Sequence, residues 1–287
     1  MQTKASRRLI GRIGAGAAAC LAIAGLSSKT ASAQTDVDVD VLNFALNLEY
    51  LEAEYYLRAV TGQGLSAAYG GTGTAIVPSS TLVPFQTTAV AYWAQRIAND
   101  ELAHVNFLRL ALGSAAIPEP TINLQSSFTT LAVAAGLITA GQTFNPFASE
   151  TDFLLGAYIF EDVGVTAYAG AAALLTSPAN IAYGASILAM EAEHAGCIRG
   201  YLAEIGGGAA TDAISALRQS LSGVQDNGTN LSASGGNPFA FANNDYNGQV
   251  FRRTPQQVLN IVYGTPVTGA TSGLFFPNGV NGAVKSS

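Results

Sequence analysis

Glu101-Leu102-Ala103-His104-Val105-Asn106-Phe107-Leu108-Arg109 and Glu191-Ala192-Glu193-His194-Ala195-Gly196-Cys197-Ile198-Arg199 carry the same pattern twice. Each has a glutamate, a histidine three positions on and an arginine five positions after that. His104 and His194 are the only histidines in the 287-residue chain. With so few glutamates, a histidine placed at random has one at −3 about one time in thirty, so both by accident is roughly one in a thousand. On an α-helix, positions i and i+3 lie about 60° apart and one turn along, so Glu and His leave the same side. That side is otherwise apolar, with Ile97, Ala98, Leu102, Val105 and Leu108 around the first pair and Ile187, Leu188 and Ile198 around the second. A glutamate on a core-facing stripe must be neutralised, paired or bound to a metal.

Working outward, four long segments carry helical periodicity. They run from about Val37 to Val60, Thr87 to Leu112, Thr151 to Leu175 and Pro178 to Ile205. Asp36, Asp38 and Asp40 suit the N-terminus of the first, and Gly206-Gly207-Gly208 reads as the stop of the fourth. Stretches 61–84 and 113–149 are long connections, the second with a short helix near Leu131–Ile138. Further short helices are expected at Asp212–Leu221 and Pro255–Tyr263. Four long helices with little strand signal predict an all-α, antiparallel four-helix bundle. Residues 34–208 would form the bundle and 209–287 an extension of short helices and coil packed on it. The bundle is internally duplicated: Glu49-x6-Tyr56 in the first helix is matched by Glu161-x6-Tyr168 in the third, as the two Glu-x-x-His phrases match each other.

Charge then points to metal. Residues 1–33 hold five of the 13 basic residues and no acid, so the rest of the chain has 8 basic against 19 acidic residues, too few to pair generously. Arg109 and Arg199 lie about 140° round the helix from their histidines and are not obvious partners at the same point. Glu49, Glu101, Glu161 and Glu191 supply four negative charges, which two divalent cations would balance, and His104 and His194 add imidazole nitrogens. Oxygen plus imidazole suits Fe or Mn better than a thiolate site would. Two positions stay open. Glu52 lies on nearly the same face as Glu49, whereas Glu54 faces elsewhere, and Asp162 could replace Glu161 if the register shifts by one.

One Glu from each of two helices plus Glu-x-x-His from each of the other two is the di-iron or di-manganese carboxylate pattern. On these residues the chain resembles the ferritin-like superfamily. More closely, it is similar to exported ferritin-like proteins grouped with plant desiccation-related proteins. The resemblance is carried by Leu42-Asn43-Phe44-Ala45-Leu46-Asn47-Leu48-Glu49-Tyr50-Leu51-Glu52-Ala53-Glu54-Tyr55-Tyr56 and both Glu-x-x-His helices. It covers Asp40–Ile205 and, more loosely, Phe275-Phe276-Pro277-Asn278-Gly279. It implies a ferritin-like bundle holding two Fe or two Mn ions on Glu49, Glu101, His104, Glu161, Glu191 and His194, with Glu52 as an alternative in the first helix. It also implies ferroxidase, peroxidase or catalase-like chemistry on O2 or H2O2 in stress protection. The competing implication is a non-catalytic stress protein with a vestigial metal site. Tyr56 and Tyr168 read as core aromatics or as groups hydrogen-bonded behind the ligands, each about 10 Å along the axis from the Glu of its own helix.

Composition narrows the remaining classes. With 49% hydrophobic and 11% charged residues the chain is not disordered, and its acid excess argues against nucleic acid as a partner. Residues 1–33 read as an export signal: Arg7-Arg8 before an apolar run resembles a twin-arginine signal, and Ala31-Ser32-Ala33 supplies a cleavage site. The expectation is a periplasmic or secreted protein with no stable membrane anchor. The long connections and tail would crowd the surfaces on which cages pack, so a monomer or small homo-oligomer is expected.

Overall fold

The computed structural model describes residues 36–231 and 241–287; the expected export signal lies outside the described residues. Seven α-helices occur among the described residues: α1 (Asp36–Thr61), α2 (Thr88–Leu112), α3 (Ser126–Ala134), α4 (Glu150–Ala171), α5 (Pro178–Glu204), α6 (Gly208–Ser222) and α7 (Pro255–Tyr263). Local chemistry sets their ends. Ser149 caps α4 by accepting the Asp152 amide, and Pro178 opens α5, where a missing N–H costs nothing. Thr254 and Gln257 close a reciprocal capping box at the start of α7.

Three boundaries differ from the sequence expectation, each for a hydrogen-bonding reason. The third long helix ends at Ala171 rather than Leu175, because the Thr176 and Ser177 amides donate to buried Asp38 of α1 at 2.8 and 3.0 Å. Helix α3 begins five residues before the expected Leu131, where Asn123 Oδ1 accepts the Gln125 and Ser126 amides. Gly208, read as part of a stop, instead starts α6, and the Thr211 amide bonds back to Gly207. A two-residue parallel pairing of Ala75–Ile76 with Ile122–Asn123 ties the two long connections together. At that length no period-2 pattern exists to read.

Helices α1, α2, α4 and α5 form the bundle. Asn43 near the start of α1 bonds to the carbonyl of Ala115 just beyond α2, and Tyr55 late in α1 bonds to Phe153 early in α4. Phe107 meets Tyr183, and Trp93 meets Tyr201, across α2 and α5. Neighbours are therefore antiparallel: α1 and α5 run one way, α2 and α4 the other. Connecting α2 to α4 then requires a crossover along the bundle, which residues 113–149 supply, as in ferritin-like folds.

The C-terminal residues cover the α1–α4 side. Phe275 and Phe276 are fully buried, and the Phe275 ring lies 5.1 Å from Phe128 and 4.9 Å from Phe160. Asn281 and Asn47 exchange two hydrogen bonds at 2.9 and 3.0 Å. The Arg253 carbonyl sits so close to Gly170 that a Cβ there would collide with it. Covered on all sides, α4 is buried from Gly156 to Tyr168 without interruption, as expected of a helix with no solvent face.

That cover includes an ionic network that no local sequence pattern announces. Asp162 takes Arg199 and Arg218 at 2.7 Å each, and Asp226 takes Arg218 at 2.8 Å and Arg253 at 2.7 Å. Arg253 also donates to Thr166, and Arg218 lies over the Tyr158 ring. All five ionic side chains are at most 2% exposed, so the charges persist only because they satisfy one another.

Candidate metal centre

Each bundle helix delivers its acidic residue to the middle of the core. Glu49 and Glu52 come from α1, Glu101 and His104 from α2, Glu161 from α4, and Glu191 and His194 from α5; all seven side chains are buried. Six of them resolve into two overlapping sets. Glu49, Glu101, His104 and Glu191 form one set and Glu101, Glu161, Glu191 and His194 the other; within each, one donor atom per residue lies within 4.8 Å of the rest. Glu101 and Glu191 belong to both and lie between the two.

The histidines face this centre through the same nitrogen. His104 Nδ1 is 3.2 Å from Glu49 Oε2, 3.3 Å from Glu101 Oε2 and 3.6 Å from Glu191 Oε1. His194 Nδ1 is 3.1 Å from Glu101 Oε1 and 3.3 Å from Glu161 Oε2. Among the described residues, Glu101 Oε1, Glu161 Oε2, both Glu191 oxygens and His194 Nδ1 have no hydrogen-bond partner despite their burial. These atoms approach one another without the alignment a hydrogen bond needs; they converge on common points. Buried polar atoms are normally satisfied, and a cluster of five that are not fits ions bound among them.

The tyrosines pair across the bundle, not along it. Tyr168 of α4 donates to Glu49 Oε1 of α1, and Tyr56 of α1 donates to Glu161 Oε1 of α4. In both glutamates the oxygen facing the histidine is the other one, Oε2. Each tyrosine thus reaches the glutamate of the opposite half, so the 10 Å along-axis separation within one helix is irrelevant to its contact.

Asp162 is turned away into the arginine network, and Glu54 pairs with Arg58 at 2.6 Å. Glu52 stands outside both donor sets. It packs where Gly164 leaves room: a Cβ at Gly164 would strike Glu191 and come within 3.4 Å of Glu52 Oε1. An apolar cavity lined by Leu48, Leu51, Val163 and Ile261 abuts Glu52. Arg109 bonds Tyr50 at 2.6 Å, away from the centre. The sequence reading passes over Asp100, which accepts from Arg96 Nε at 2.6 Å and lies 3.3 Å from His194 Nε2. The one signal is its place immediately before Glu101, but polarity at one helical position does not reveal a partner on another helix.

The electrostatics are those of a site with too many negative charges. Burial pushes Glu49 up to about 7, and burial with neighbouring carboxylates pushes Glu52 and Glu191 well above the ordinary range. Burial also raises Glu161, against the pull of His194. Burial disfavours charge on Glu101 too, but the two imidazoles outweigh it and hold that carboxyl low. Burial opposes charge on His104, yet Glu49 and Glu101 pull it up to about 11, and His194 is raised in the same way by Glu161, Asp100 and Glu101.

Residues 37–204 match the ferritin-like domain family. The chain belongs to that family. This ferritin-like chain is 29% identical over 271 residues to the ferritin-like catalase Nec2 of Nesocodon mauritianus, covering 87% of this chain and 85% of that protein. It is 34% identical over 247 residues to the desiccation-related protein PCC13-62 of Craterostigma plantagineum, covering 77% of this chain and 76% of the relative. The ferritin-like bundle and the desiccation-related grouping anticipated from the glutamate–histidine phrases therefore hold.

Proposed function

We propose that this ferritin-like protein binds two Fe or Mn ions in the buried carboxylate–histidine centre and acts there on hydrogen peroxide. The observation that carries this reading is the group of five unpartnered donor atoms inside two overlapping donor sets. Glu49 and His104 would hold one ion, Glu161 and His194 the other, with Glu101 and Glu191 bridging. Two adjacent redox-active ions supply the two-electron capacity that cleavage of an O–O bond requires. Tyr168 and Tyr56 fix the outer oxygens of Glu49 and Glu161, leaving the inner oxygens free to coordinate. Burial and the neighbouring carboxylates raise Glu52 well above the ordinary range, and an apolar cavity lies beside it. The catalase name of one relative supports peroxide over other oxidants. Residues 1–33, read as a twin-arginine signal, would allow metal loading before export.

The test is metal analysis of reconstituted protein together with O2 release from H2O2 and Fe(II) oxidation. Two ions per chain with O2 release is the expected result. Fewer than one ion per chain overturns the reading, and two ions without turnover assigns the chain to a non-catalytic role.

A pH dependence follows from the raised carboxyls. Glu49 rises from 4.5 to about 7, and Glu52 and Glu191 are also raised well above 4.5, so the folded state binds more protons than the unfolded one. The stability of such groups is complete below about 4.5 and is lost as pH climbs through the folded value. Protein stripped of metal by chelation should therefore melt about 5–10 °C lower at pH 8 than at pH 5. Added Mn(II), by taking the protons' place, should flatten that slope. Identical pH slopes with and without Mn(II), followed by differential scanning calorimetry, would contradict it.

A further inference from the structure

The internal duplication breaks at Asp100, behind one of the two histidines. Aligning Glu101 with Glu191 and His104 with His194 puts Asp100 opposite Met190 and Arg96 opposite Ser186. The consequence in space is unequal support for the two imidazoles. Asp100 Oδ2 lies 3.3 Å from His194 Nε2 and is itself held by Arg96 at 2.6 Å. His104 makes all its polar contacts through Nδ1, and its Nε2 has no hydrogen-bond partner among the described residues. Its side chain also keeps 10% exposure against 3% for His194, so its outer edge meets solvent.

We propose that the two cation positions are inequivalent, with the Glu161–His194 position tight because Asp100 backs its imidazole and the Glu49–His104 position weaker and exchangeable. This rests on the dinuclear reading above. A carboxylate accepting the Nε2 proton fixes that ring with Nδ1 free to coordinate, sets its orientation in advance and makes the nitrogen a stronger donor. Such partners are worth about 10–100-fold in metal affinity. Among the described residues no carboxylate stands behind the His104 Nε2, so no protein charge strengthens that ring. Asp100 is therefore a positioning residue for one of the two ions. Because it faces the outer edge of the bundle with its side chain 17% exposed, its replacement leaves the core packing alone.

The test is Mn(II) titration of the chelated full chain, with free ion followed by electron paramagnetic resonance. The wild-type chain should bind two ions in steps separated by about 10–100-fold. Asp100→Ala should merge the steps by weakening the tighter one. Asp100→Asn, which can still accept the hydrogen bond but carries no charge, should fall between. His104→Ala should keep the tight ion and His194→Ala should lose it. Two ions bound in indistinguishable steps overturn this inference while leaving the dinuclear reading intact, as does an unchanged gap in both Asp100 variants. Failure to bind Mn(II) at all overturns both.

Discussion

Glu191→Leu abolishes binding of both cations and, in metal-free protein, raises the melting temperature. Both halves of this expected result come from one residue. Glu191 belongs to both donor sets, so its loss removes a ligand from each position, whereas Glu49→Gln removes a ligand from one set only. Without metal, Glu191 is a fully buried carboxyl with neither oxygen hydrogen-bonded among the described residues, raised by burial and by Glu101, Glu52 and Glu161 around it. A leucine of similar volume relieves that desolvation and repulsion. A buried polar group without a partner costs about 1–3 kcal/mol, several degrees for a chain of this size. The stabilisation that bound metal confers, about 2.7 kcal/mol at a hundredfold excess over Kd, should vanish in the same variant. Calorimetry with and without Mn(II), beside metal analysis, reads both quantities. A Glu191→Leu chain that still holds two ions would exclude the bridging assignment.

Arg218→Met should destabilise the protein by about 3–5 kcal/mol, lowering the melting temperature by roughly 10 °C or more. Arg218 joins Asp162 of α4 to Asp226 of the extension, at 2.7 and 2.8 Å, within a buried network. Removing it leaves Asp226 to Arg253 alone and Asp162 to Arg199 alone. It also takes away the bond to the Tyr158 carbonyl at 2.6 Å. Burial raises Asp226, but Arg218 and Arg253 outweigh it and keep its carboxyl below the ordinary range. Its stabilisation is therefore present above about pH 4 and lost as pH falls through the folded value. The variant should accordingly lose less stability in acid than the wild type does. Urea melts at pH 7 and pH 3 check both statements; equal midpoints for the two chains at pH 7 would remove the network from the account of stability.

What can be read from sequence follows from where the information lies. Glu101 and His104, or Glu191 and His194, declare themselves because a spacing of three on an apolar stripe already sets a charge inside the core. The bundle follows from long periodic segments, and the α7 boundaries from a Thr-Pro start and a Gly stop. Contacts between distant segments are not legible. The helical angle puts Arg199 off the histidine's face, but nothing local shows that it meets Asp162 on α4. Tyr56 and Tyr168 fall on the correct helices, yet their partners lie 105 and 119 residues away. The early end of α4 depends on Asp38, more than 130 residues upstream.

The crossed arrangement of the centre bears on how such a chain is put together. The α1–α2 hairpin contributes Glu49, Glu101 and His104 to one donor set and obtains the fourth member, Glu191, from the α4–α5 hairpin, which draws on Glu101 in return. The two phenols obey the same reciprocity. A lone hairpin therefore has three corners of a tetrad and a dangling carboxylate. The 113–149 crossover holds the two hairpins within one polypeptide, so each completes the other's tetrad in a single chain. The two halves are not identical beside the centre: Asp100 stands opposite Met190, and Glu52 opposite Gly164.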